Sequence, residues 1–385
     1  MKKWIVSLGA ALLVASRAFA LSIPAPVLDA NAWLLLDAKS NQVIAEHNAD
    51  ARIEPASLTK IMTAYLVFKA VHDHQLSLDQ TVTVSTRAWQ VAPDSSKMFL
   101  EPGDRVTIKQ LLDGLLVQSG NDAAVALAEA TAGSVETFVA EMNQTARKMG
   151  LKATHFASPH GLPNPGTYSS ARDLSALARH LIHDFPKLYT GFDTTKQFTY
   201  NNITQKNRNL LLWRDPSVDG LKTGHTKAAG YCLIASAHRP GATIERRLIS
   251  VVLGTPSNKA RTQESEVLLN WGFSNFDTVK LYSKQQVVAT PRVWKGEQDK
   301  VKLGFTHDVY LALARGAKVA NLPVVTTSGP LVAPIVPESW VASLTEKVGD
   351  RTVTLPLVAL HGVKEAGFFG RTWDSVALWV SQKIG

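Results

Sequence analysis

The stretch SLTKIMTAYLVFKA, residues 57–70, is apolar almost all the way round a helical wheel and begins with a serine and a lysine. A helix without a polar face is buried in a protein core, so we expect this one to cover a face of a sheet. Ser57 and Lys60 are three residues apart and therefore share one face of the helix, about one turn from each other. Because burial disfavours the charged form of an amine, Lys60 is expected to act as a base toward the Ser57 hydroxyl. The stretch predicts both a core helix and a nucleophile.

A second motif, Ser119-Gly120-Asn121, falls between two segments with helical patterns. Gly120 would permit a tight turn, so that Ser119 and Asn121 both point out of the helical layer. In a catalytic interpretation Ser119 relays a proton to a leaving amine and Asn121 donates to a substrate amide. The alternative is an ordinary turn between helices in which Asn121 is the N-cap.

The third motif, Lys222-Thr223-Gly224, is predicted at the start of an apolar strand and is followed by His225. Gly224 would let a ligand lie against the strand backbone without a side chain in the way. Lys222 and Thr223 would hold a substrate carboxylate, and the backbone N–H groups of Ser57 and His225 would stabilise an oxyanion. His225 is equally well explained as a local hydrogen-bonding residue. Each motif is weak alone, but three in this order are difficult to explain by chance.

The length of 385 residues fits two domains, and a hydrophobic content of 45% is enough for each to have a hydrophobic core. Its first 20 residues read as a secretory signal peptide, with a basic start, an apolar run over residues 4–15 and the small-x-small site Ala18-Phe19-Ala20. Cys232 is the sole cysteine, so an intrachain disulfide is excluded and the residue is expected to be inert in the core. These features together indicate a bacterial envelope protein.

The net charge of +9 falls to +6 when Lys2, Lys3 and Arg17 of the signal peptide are removed. A basic surface of this kind would attract anionic lipid or an anionic wall polymer. No basic run interleaved with aromatic residues is present, so nucleic acid is not expected as a partner. His72 and His74 lack an evident third ligand, and we predict neither a metal nor a cofactor.

Patterns along residues 21–276 predict an α+β catalytic domain. Its middle, about 105–190, has helical periodicity, and a further helix is expected near 259–271. Strands are expected at Ala32 to Asp37, at Gln42 to Glu46, and near 221–226, 231–237 and 247–253. Because strands lie at both ends of the region, we predict one antiparallel sheet closed by its first and last strands and covered by helices.

Two smaller segments follow. Residues 277–362 contain short β-rich runs broken by glycine and proline, which predicts a small all-β domain. Residues 363–385 contain a segment whose apolar side chains fall in one half of a helical wheel: Phe368, Phe369, Trp373, Val376, Ala377, Trp379, Val380 and Ile384. An amphipathic helix with tryptophans suits the membrane interface, although docking on the β domain is the alternative.

The three motifs resemble those of low-molecular-mass penicillin-binding proteins of the D-alanyl-D-alanine carboxypeptidase type. The resemblance continues through Pro102-Gly103-Asp104, Ser158-Pro-His-Gly-Leu162, Tyr168-Ser-Ser-Ala-Arg-Asp173 and Asp219-Gly-Leu-Lys-Thr-Gly-His-Thr226. It implies a penicillin-binding catalytic fold in which Ser57 is acylated by a peptide ending in D-Ala-D-Ala, D-alanine leaves, and water frees the shortened peptide.

The resemblance also implies partners, further residues and a location. Penicillins would acylate the same serine, and Arg208 and Arg261 become candidates for binding the substrate carboxylate. The expected partners are peptidoglycan pentapeptide stems, β-lactam antibiotics and, through the C-terminal helix, the inner-membrane surface. The expected location is the periplasmic face of the bacterial inner membrane.

Three alternatives remain open from the sequence. A β-lactamase usually has an aspartate where this chain has Gly120, and Glu141-Met142-Asn143 does not match the deacylating glutamate pattern of that class. A D,D-endopeptidase would use the same chemistry on cross-links but generally lacks the extra β domain. A wall-binding scaffold with a vestigial site is disfavoured by the three intact motifs.

Overall fold

The computed structural model describes residues 23–241, 244–317, 323–348 and 351–384. The predicted signal peptide, residues 1–20, lies outside the described residues. Within these ranges no single helix has the length and hydropathy needed to cross a membrane. The sharply bent pair Asn121–Ala132 and Val135–Lys148 passes that test together, by length and composition only.

The first part of the chain alternates between strands and helices. Its strands are β1 (Ala32–Asp37), β2 (Gln42–His47), β3 (Thr81–Thr83), β4 (Arg105–Thr107), β5 (Gln197–Tyr200), β6 (Ile203–Lys206), β7 (Val218–Thr226), β8 (Gly230–Pro240) and β9 (Glu245–Thr255). Its helices are α1 (Lys60–His72), α2 (Thr86–Trp89), α3 (Ile108–Asp113), α4 (Asn121–Ala132), α5 (Val135–Lys148), α6 (Ala171–Asp184), α7 (Pro186–Phe192), α8 (Leu211–Arg214) and α9 (Asn258–Asn275). A 3-10 helix, Ala56–Thr59, and a π-helical turn, Gly114–Gln118, complete it.

A five-stranded antiparallel sheet in the order β2-β1-β9-β8-β7 forms the centre of this domain. The first strand pairs with the last along its whole length, from Ala32 opposite Leu253 to Asp37 opposite Leu248. The sheet is therefore closed by the two ends of the domain, as the sequence predicts. The strands β7 to β9 are longer than predicted, because each extends past its apolar centre into polar residues.

Both faces of the sheet are covered, and β1 shows why. All six of its residues are buried, and successive side chains of a strand point to opposite faces. Leu34 and Leu36 join the larger core, which contains α1 and α6, whereas Leu35 joins a second core formed with α9. The predicted α+β fold, with one antiparallel sheet between helices, is confirmed.

The apolar stretch of residues 57–70 forms most of α1 and lies in the larger core, as predicted. One detail differs. Ser57 lies in the 3-10 helix that precedes α1, and Lys60 is the first residue of α1. The two residues are still about one turn apart, so the 3-10 helix allows the same contact between their side chains that an α-helix would.

The second part of the chain is a small all-β region followed by a helix. Its strands are β10 (Phe276–Tyr282), β11 (Val293–Trp294), β12 (Leu303–Gly304), β13 (Val309–Ala314), β14 (Val324–Thr326), β15 (Leu331–Val332), β16 (Trp340–Val348) and β17 (Arg351–Ala359). The largest sheet has the order β12-β17-β16-β14, and Leu303, Leu344 and Leu357 are in its core. The chain ends in α10 (Phe368–Ile384), which matches the predicted amphipathic segment.

Candidate active site

Ser57 lies in a tight turn beside a buried lysine. Pro55 precedes the 3-10 helix Ala56–Thr59, and Lys60 follows it directly. The Lys60 Nζ is 3.1 Å from the Ser57 Oγ, which is within hydrogen-bond reach. Ser57 lines an open cavity, whereas Lys60 is fully buried. The nucleophile is therefore accessible to a ligand while its neighbouring amine is shielded from water.

The surroundings of Lys60 decide which proton its amine can take. The Nζ donates to the Asn121 Oδ1 at 2.6 Å and to the His160 carbonyl at 2.8 Å. A neutral amine has two hydrogens, so these two acceptors use both and leave the nitrogen lone pair for the Ser57 hydroxyl. Burial lowers the pKa of Lys60 to about 7, against the opposing effect of the Asp122 carboxylate. Geometry and pKa together suit a general base at neutral pH.

Ser119 and Asn121 flank the break between Gly114–Gln118 and α4, but the turn is made by a different residue than predicted. Ser119 adopts the left-handed conformation, with φ of 70°, while Gly120 has φ of −55°. Glycine is needed at 120 for space, since a Cβ there would lie 2.8 Å from an Asp122 carboxylate oxygen. The buried Ser119 hydroxyl lines the cavity and has no hydrogen-bond partner among the described residues. It is available to relay a proton or to bind a ligand.

Asn121 is the first residue of α4, and Gly120 occupies the N-cap position. The capping interpretation of Asn121 is therefore wrong for its side chain, which accepts a hydrogen bond from Lys60 instead. The Asn121 N–H donates to the Ser96 carbonyl at 2.8 Å and ties the motif to the loop beside the cavity.

Asp122, which the motifs did not single out, braces the same loop. Its buried carboxylate accepts from the backbone N–H groups of residues 98–100 at 3.0 to 3.2 Å. An acidic residue in the first turn of a helix is usually explained by the helix dipole. Its sequence position therefore gave no signal of this long-range role.

Lys222 and Thr223 lie in the middle of β7 rather than at its start, because the strand begins at Val218. Lys222 is 2% exposed, and its Nζ donates to the Thr223 carbonyl at 3.1 Å. Burial lowers the pKa of Lys222 well below its usual value, and the nearby Lys60 lowers it further. A negative charge in the adjoining cavity would relieve this repulsion and stabilise both lysines.

Gly224 brings β7 against the turn that carries Ser57. A Cβ at position 224 would lie 3.1 Å from the Pro55 carbonyl oxygen and 3.2 Å from the Leu58 side chain. The sequence suggested that this glycine makes room for a ligand, but the closest neighbour is the serine turn itself. The missing side chain keeps the nucleophile close to the strand.

Arg261, Arg208 and His225 all line the cavity, but they differ in how deeply they are buried. Arg261 is 5% exposed, and its Nη1 donates to the Gly224 carbonyl at 2.9 Å, so it is a buried residue that is already hydrogen-bonded. Burial lowers the pKa of Arg261 to about 10. Arg208 is exposed, as is His225, whose ring centroid is 4.0 Å from that of Tyr231. Arg208 is therefore the freer of the two cations.

One cavity of about 800 Å³ brings most of the predicted residues together. Eight of them line it: Ser57, Ser119, Asn121, Arg208, Thr223, Gly224, His225 and Arg261. The other two, Lys60 and Lys222, are buried behind its wall. The volume lies within the range of about 300–1,000 Å³ that is usual for small-ligand sites. The guanidinium groups of Arg208 and Arg261 in the wall, with Lys222 behind it, favour a ligand that carries a carboxylate.

Two further buried groups were missed by reasoning from the motifs. His160 presents its carbonyl to Lys60, while its Nδ1 accepts from the Leu162 N–H at 3.1 Å, and burial lowers the pKa of His160 to about 3. Asp193 has both carboxylate oxygens buried without a partner in the described chain, and its pKa is raised well above the usual value by burial. Lys222 partly offsets that rise. Neither residue could be found from spacing, because the contact of His160 with Lys60 and the burial of Asp193 both arise only in the folded chain.

Cys232 lies in β8 beside this site, and its carbonyl accepts a hydrogen bond from Arg261 Nη1 at 3.3 Å. Cys232 is buried, and burial raises the pKa of its thiol to about 11, which fits the predicted inert core role. Over the described ranges, no three histidine, cysteine or acidic side chains gather as metal ligands would.

Comparison with known families gives two matches that together span most of the chain. Residues 19–257 match the model described as D-alanyl-D-alanine carboxypeptidase. Residues 276–365 match the model described as the C-terminal domain of penicillin-binding protein 5. The division between the two matches falls where the helices give way to the small β region.

Individual proteins give the same picture. The chain is 43% identical over 383 residues to D-alanyl-D-alanine carboxypeptidase DacC of Escherichia coli (strain K12), covering 97% of this chain and 94% of that protein. It is 34% identical to DacF of Bacillus subtilis (strain 168), over 92% of this chain and 91% of that protein. Penicillin-binding protein 5 from Haemophilus influenzae superimposes with a TM-score of 0.83 at 39% identity, covering 89% of this chain and all of that one. The chain therefore belongs to the D-alanyl-D-alanine carboxypeptidase family, as its three motifs predict.

Proposed function

We propose that the protein is a serine D,D-carboxypeptidase that removes the terminal D-alanine from peptidoglycan pentapeptide stems and that binds penicillins covalently. The observation that carries the proposal is the position of Lys60. Its amine stands 3.1 Å from the Ser57 hydroxyl and is held by Asn121 and His160 in the orientation that a base requires. Family membership supports the same activity.

Acylation begins with the neutral form of Lys60. As the Ser57 Oγ attacks the carbonyl carbon of the penultimate D-alanine, its proton passes to the Lys60 amine. The backbone N–H groups of Ser57 and His225 stabilise the negative oxygen of the tetrahedral intermediate. The proton that Lys60 holds then passes through the Ser119 hydroxyl to the leaving nitrogen, the C–N bond breaks, D-alanine departs with a neutral amine, and the Lys60 amine is neutral again.

Deacylation repeats the steps with water as the nucleophile. Water loses a proton to the regenerated amine and attacks the ester carbonyl, and the bond to Ser57 Oγ breaks. The shortened peptide leaves as a carboxylate, and the serine regains its proton. A β-lactam acylates the same serine by opening its ring. Its leaving nitrogen stays attached to the acyl group, so it cannot diffuse away as D-alanine does.

The cationic groups at the cavity favour a substrate with a free terminal carboxylate, and therefore carboxypeptidase rather than endopeptidase activity. A free C-terminal carboxylate fits a wall that contains Thr223 and Arg208, with Lys222 behind it. Arg261 is already bonded to the Gly224 carbonyl and mainly fixes the strand that the carboxylate would meet. The buried, fully formed site argues against a vestigial scaffold.

The localisation that we propose is the periplasmic face of the bacterial inner membrane, reached through the predicted signal peptide and held by α10. Apolar side chains of α10 are exposed, including Phe368 at 71%, Phe369 at 88% and Trp373 at 77%. Asp374 on the same helix accepts from the Lys295 N–H at 2.5 Å, so α10 is docked on the β region by a polar residue. The docked helix still offers an aromatic face that suits the membrane interface.

The activity is tested by free D-alanine released from a pentapeptide ending in D-Ala-D-Ala. We expect many molecules of D-alanine per enzyme and little cleavage of cross-linked dimers. Preferential cleavage of the dimers would favour the endopeptidase alternative. Penicillin binding without release of D-alanine from either substrate would favour the scaffold.

A further inference from the structure

A second groove adjoins the active-site cavity. It has a volume of about 380 Å³ and is lined by Trp89, Pro93, Asp94, Ser95, Lys97, Phe99, Leu100 and Glu101, and we call it the aromatic groove. Pro93, Asp94 and Ser95 also line the active-site cavity, so the two spaces are neighbours on the same loop. A substrate larger than the cavity would reach the aromatic groove along this loop.

Phe99 is held in the aromatic groove by a strained backbone. Its φ is +69°, a conformation that an aromatic residue rarely adopts, and its side chain is 48% exposed. The Asp122 carboxylate accepts from the Phe99 N–H at 3.0 Å and also binds the N–H groups on either side. Strain of this kind persists only where the surroundings impose it, and it concentrates at ligand sites. The same residue that follows the Ser119-Gly120-Asn121 motif thus shapes the groove.

Trp89 stands at the end of α2 and is 45% exposed. The helix is fixed to the body of the domain by its N-cap and by its second residue. Ser85 caps it and donates to Glu129 at 2.7 Å, and Arg87 makes two hydrogen bonds to Glu136 at 3.0 and 2.7 Å. The exposed indole is therefore presented on a rigid support, which lowers the entropic cost of binding.

The polar groups of the aromatic groove suit hydroxyl and amide donors. Within the described part of the chain, the carboxylates of Asp94 and Glu101 form no ion pair and accept no hydrogen bond from another side chain. Two exposed aromatic rings with free carboxylates match a pyranose ring, whose C–H face packs on an aromatic surface while its edge donates hydroxyl protons. The lining comes from a short helix and a loop, so it offers no strand edge with which an extended peptide could pair.

We infer that the aromatic groove binds the saccharide to which the stem peptide is attached, while the end of the stem occupies the active-site cavity. This inference rests on the proposed function, because it assumes that the cavity takes a peptidoglycan stem. The saccharide would add affinity without touching the reacting atoms. It would therefore lower KM and leave kcat nearly unchanged.

The test compares the full-length enzyme on two substrates, a free pentapeptide and the same pentapeptide carried on its N-acetylated disaccharide. We expect the disaccharide to lower KM several-fold. Trp89→Ala should raise KM about tenfold for the disaccharide substrate, which corresponds to about 1.4 kcal/mol, and should leave KM for the free peptide unchanged. Trp340→Ala, which removes an exposed tryptophan of the β region, is the matched control and should change neither value.

A second variant keeps the inference testable if Trp89→Ala does not fold. Glu101→Gln preserves the aromatic surface, and it should weaken only the disaccharide substrate. Equal KM values for the two substrates in the native enzyme would overturn the inference, as would equal losses on both substrates in the variants. Turnover of the free pentapeptide tests the proposed function separately, so the two failures are distinguishable.

Discussion

The Lys60 amine connects the geometry of the site to its dependence on pH. Burial lowers its pKa to about 7, and only the neutral form can take the Ser57 proton. The rate of acylation by a penicillin should therefore rise with pH through about 7. It should fall by about tenfold for each unit below that value, since the fraction of neutral amine falls by that factor. Stopped-flow acylation rates between pH 5 and 9 check this.

The matched control for this prediction lies on the same helix. Lys60→Arg should lower the acylation rate by about 10²–10⁴, because a guanidinium stays protonated. Lys69→Arg changes an exposed lysine of α1 and should have no effect. A rate that stays constant from pH 5 to 9 in the native protein would contradict a neutral lysine base.

Asp122 has a structural task that can be measured as stability. The Asp122 carboxylate accepts hydrogen bonds from the N–H groups of residues 98–100, and Asp122→Asn replaces this charged acceptor with a neutral amide. We expect the free energy of unfolding to fall by about 1.5–3 kcal/mol, the usual value for hydrogen bonds to charged groups. Asp113→Asn is the control, because among the residues that the structure describes Asp113 forms an ion pair with the exposed Lys109 alone. Equal urea midpoints for the two variants would count against the bracing role.

At the scale of elements, the segment around Gly161 is packed against the serine turn. Gly161 has φ of +77°, and a Cβ there would lie 1.9 Å from the Ala56 carbonyl oxygen. Gly161→Ala must therefore displace the turn that carries Ser57. A shift of about 1 Å in a catalytic group can cost about 10²-fold, and we expect a loss of acylation rate of that order.

Gly150→Ala is the control for this substitution. Gly150 has a similar φ of +74°, but no atom lies within 4 Å of the position of its Cβ. The two variants share the backbone strain and differ only in the clash. Similar acylation rates in both would show that the contact with Ala56 does not position the serine.

The elements were largely predictable because their signals are local. The buried α1 followed from apolar residues on every side of its wheel, and the closed sheet followed from strands at both ends of the domain. Turn chemistry was less predictable. Gly120 was expected to make the tight turn, but Ser119 is the residue that takes the left-handed conformation. Glycine is needed at 120 because a side chain there would meet the Asp122 carboxylate.

The candidate site was predictable in composition and less so in arrangement. The motifs named the central residues of the cavity wall, since each motif is contiguous in sequence, but not the lining residues 92–96 of the neighbouring loop. The roles of His160 and Asp122 depend on contacts across the fold, and the burial of Asp193 depends on the packing around it; no short spacing encodes either. The oxyanion donors, the signal peptide and the residue limits of the domains stay predictions.

At the scale of the whole molecule, α10 should bring the enzyme to a membrane surface. The double substitution Phe369→Glu and Trp373→Glu places charges on two exposed residues of its aromatic face. We expect it to lower binding to anionic phospholipid vesicles by at least about tenfold, because apolar burial in the interface is lost. Sedimentation with vesicles, using signal-free protein that otherwise keeps its full chain, measures the effect.

Trp340→Glu is the control for the vesicle experiment, since Trp340 is 70% exposed but belongs to β16. Hydrolysis of a free pentapeptide should be equal in all three proteins, because α10 and β16 contribute no residue to the cavity wall. Unchanged vesicle binding by the double variant would mean that α10 only docks on the β region.

The most direct test of the central claim is the mass of the protein after reaction with a penicillin, followed by mapping of the modified peptide. We expect one adduct per chain, located on Ser57, and no adduct in Ser57→Ala. An adduct on another residue, or full labelling of Ser57→Ala, would contradict the assignment of Ser57 as the nucleophile.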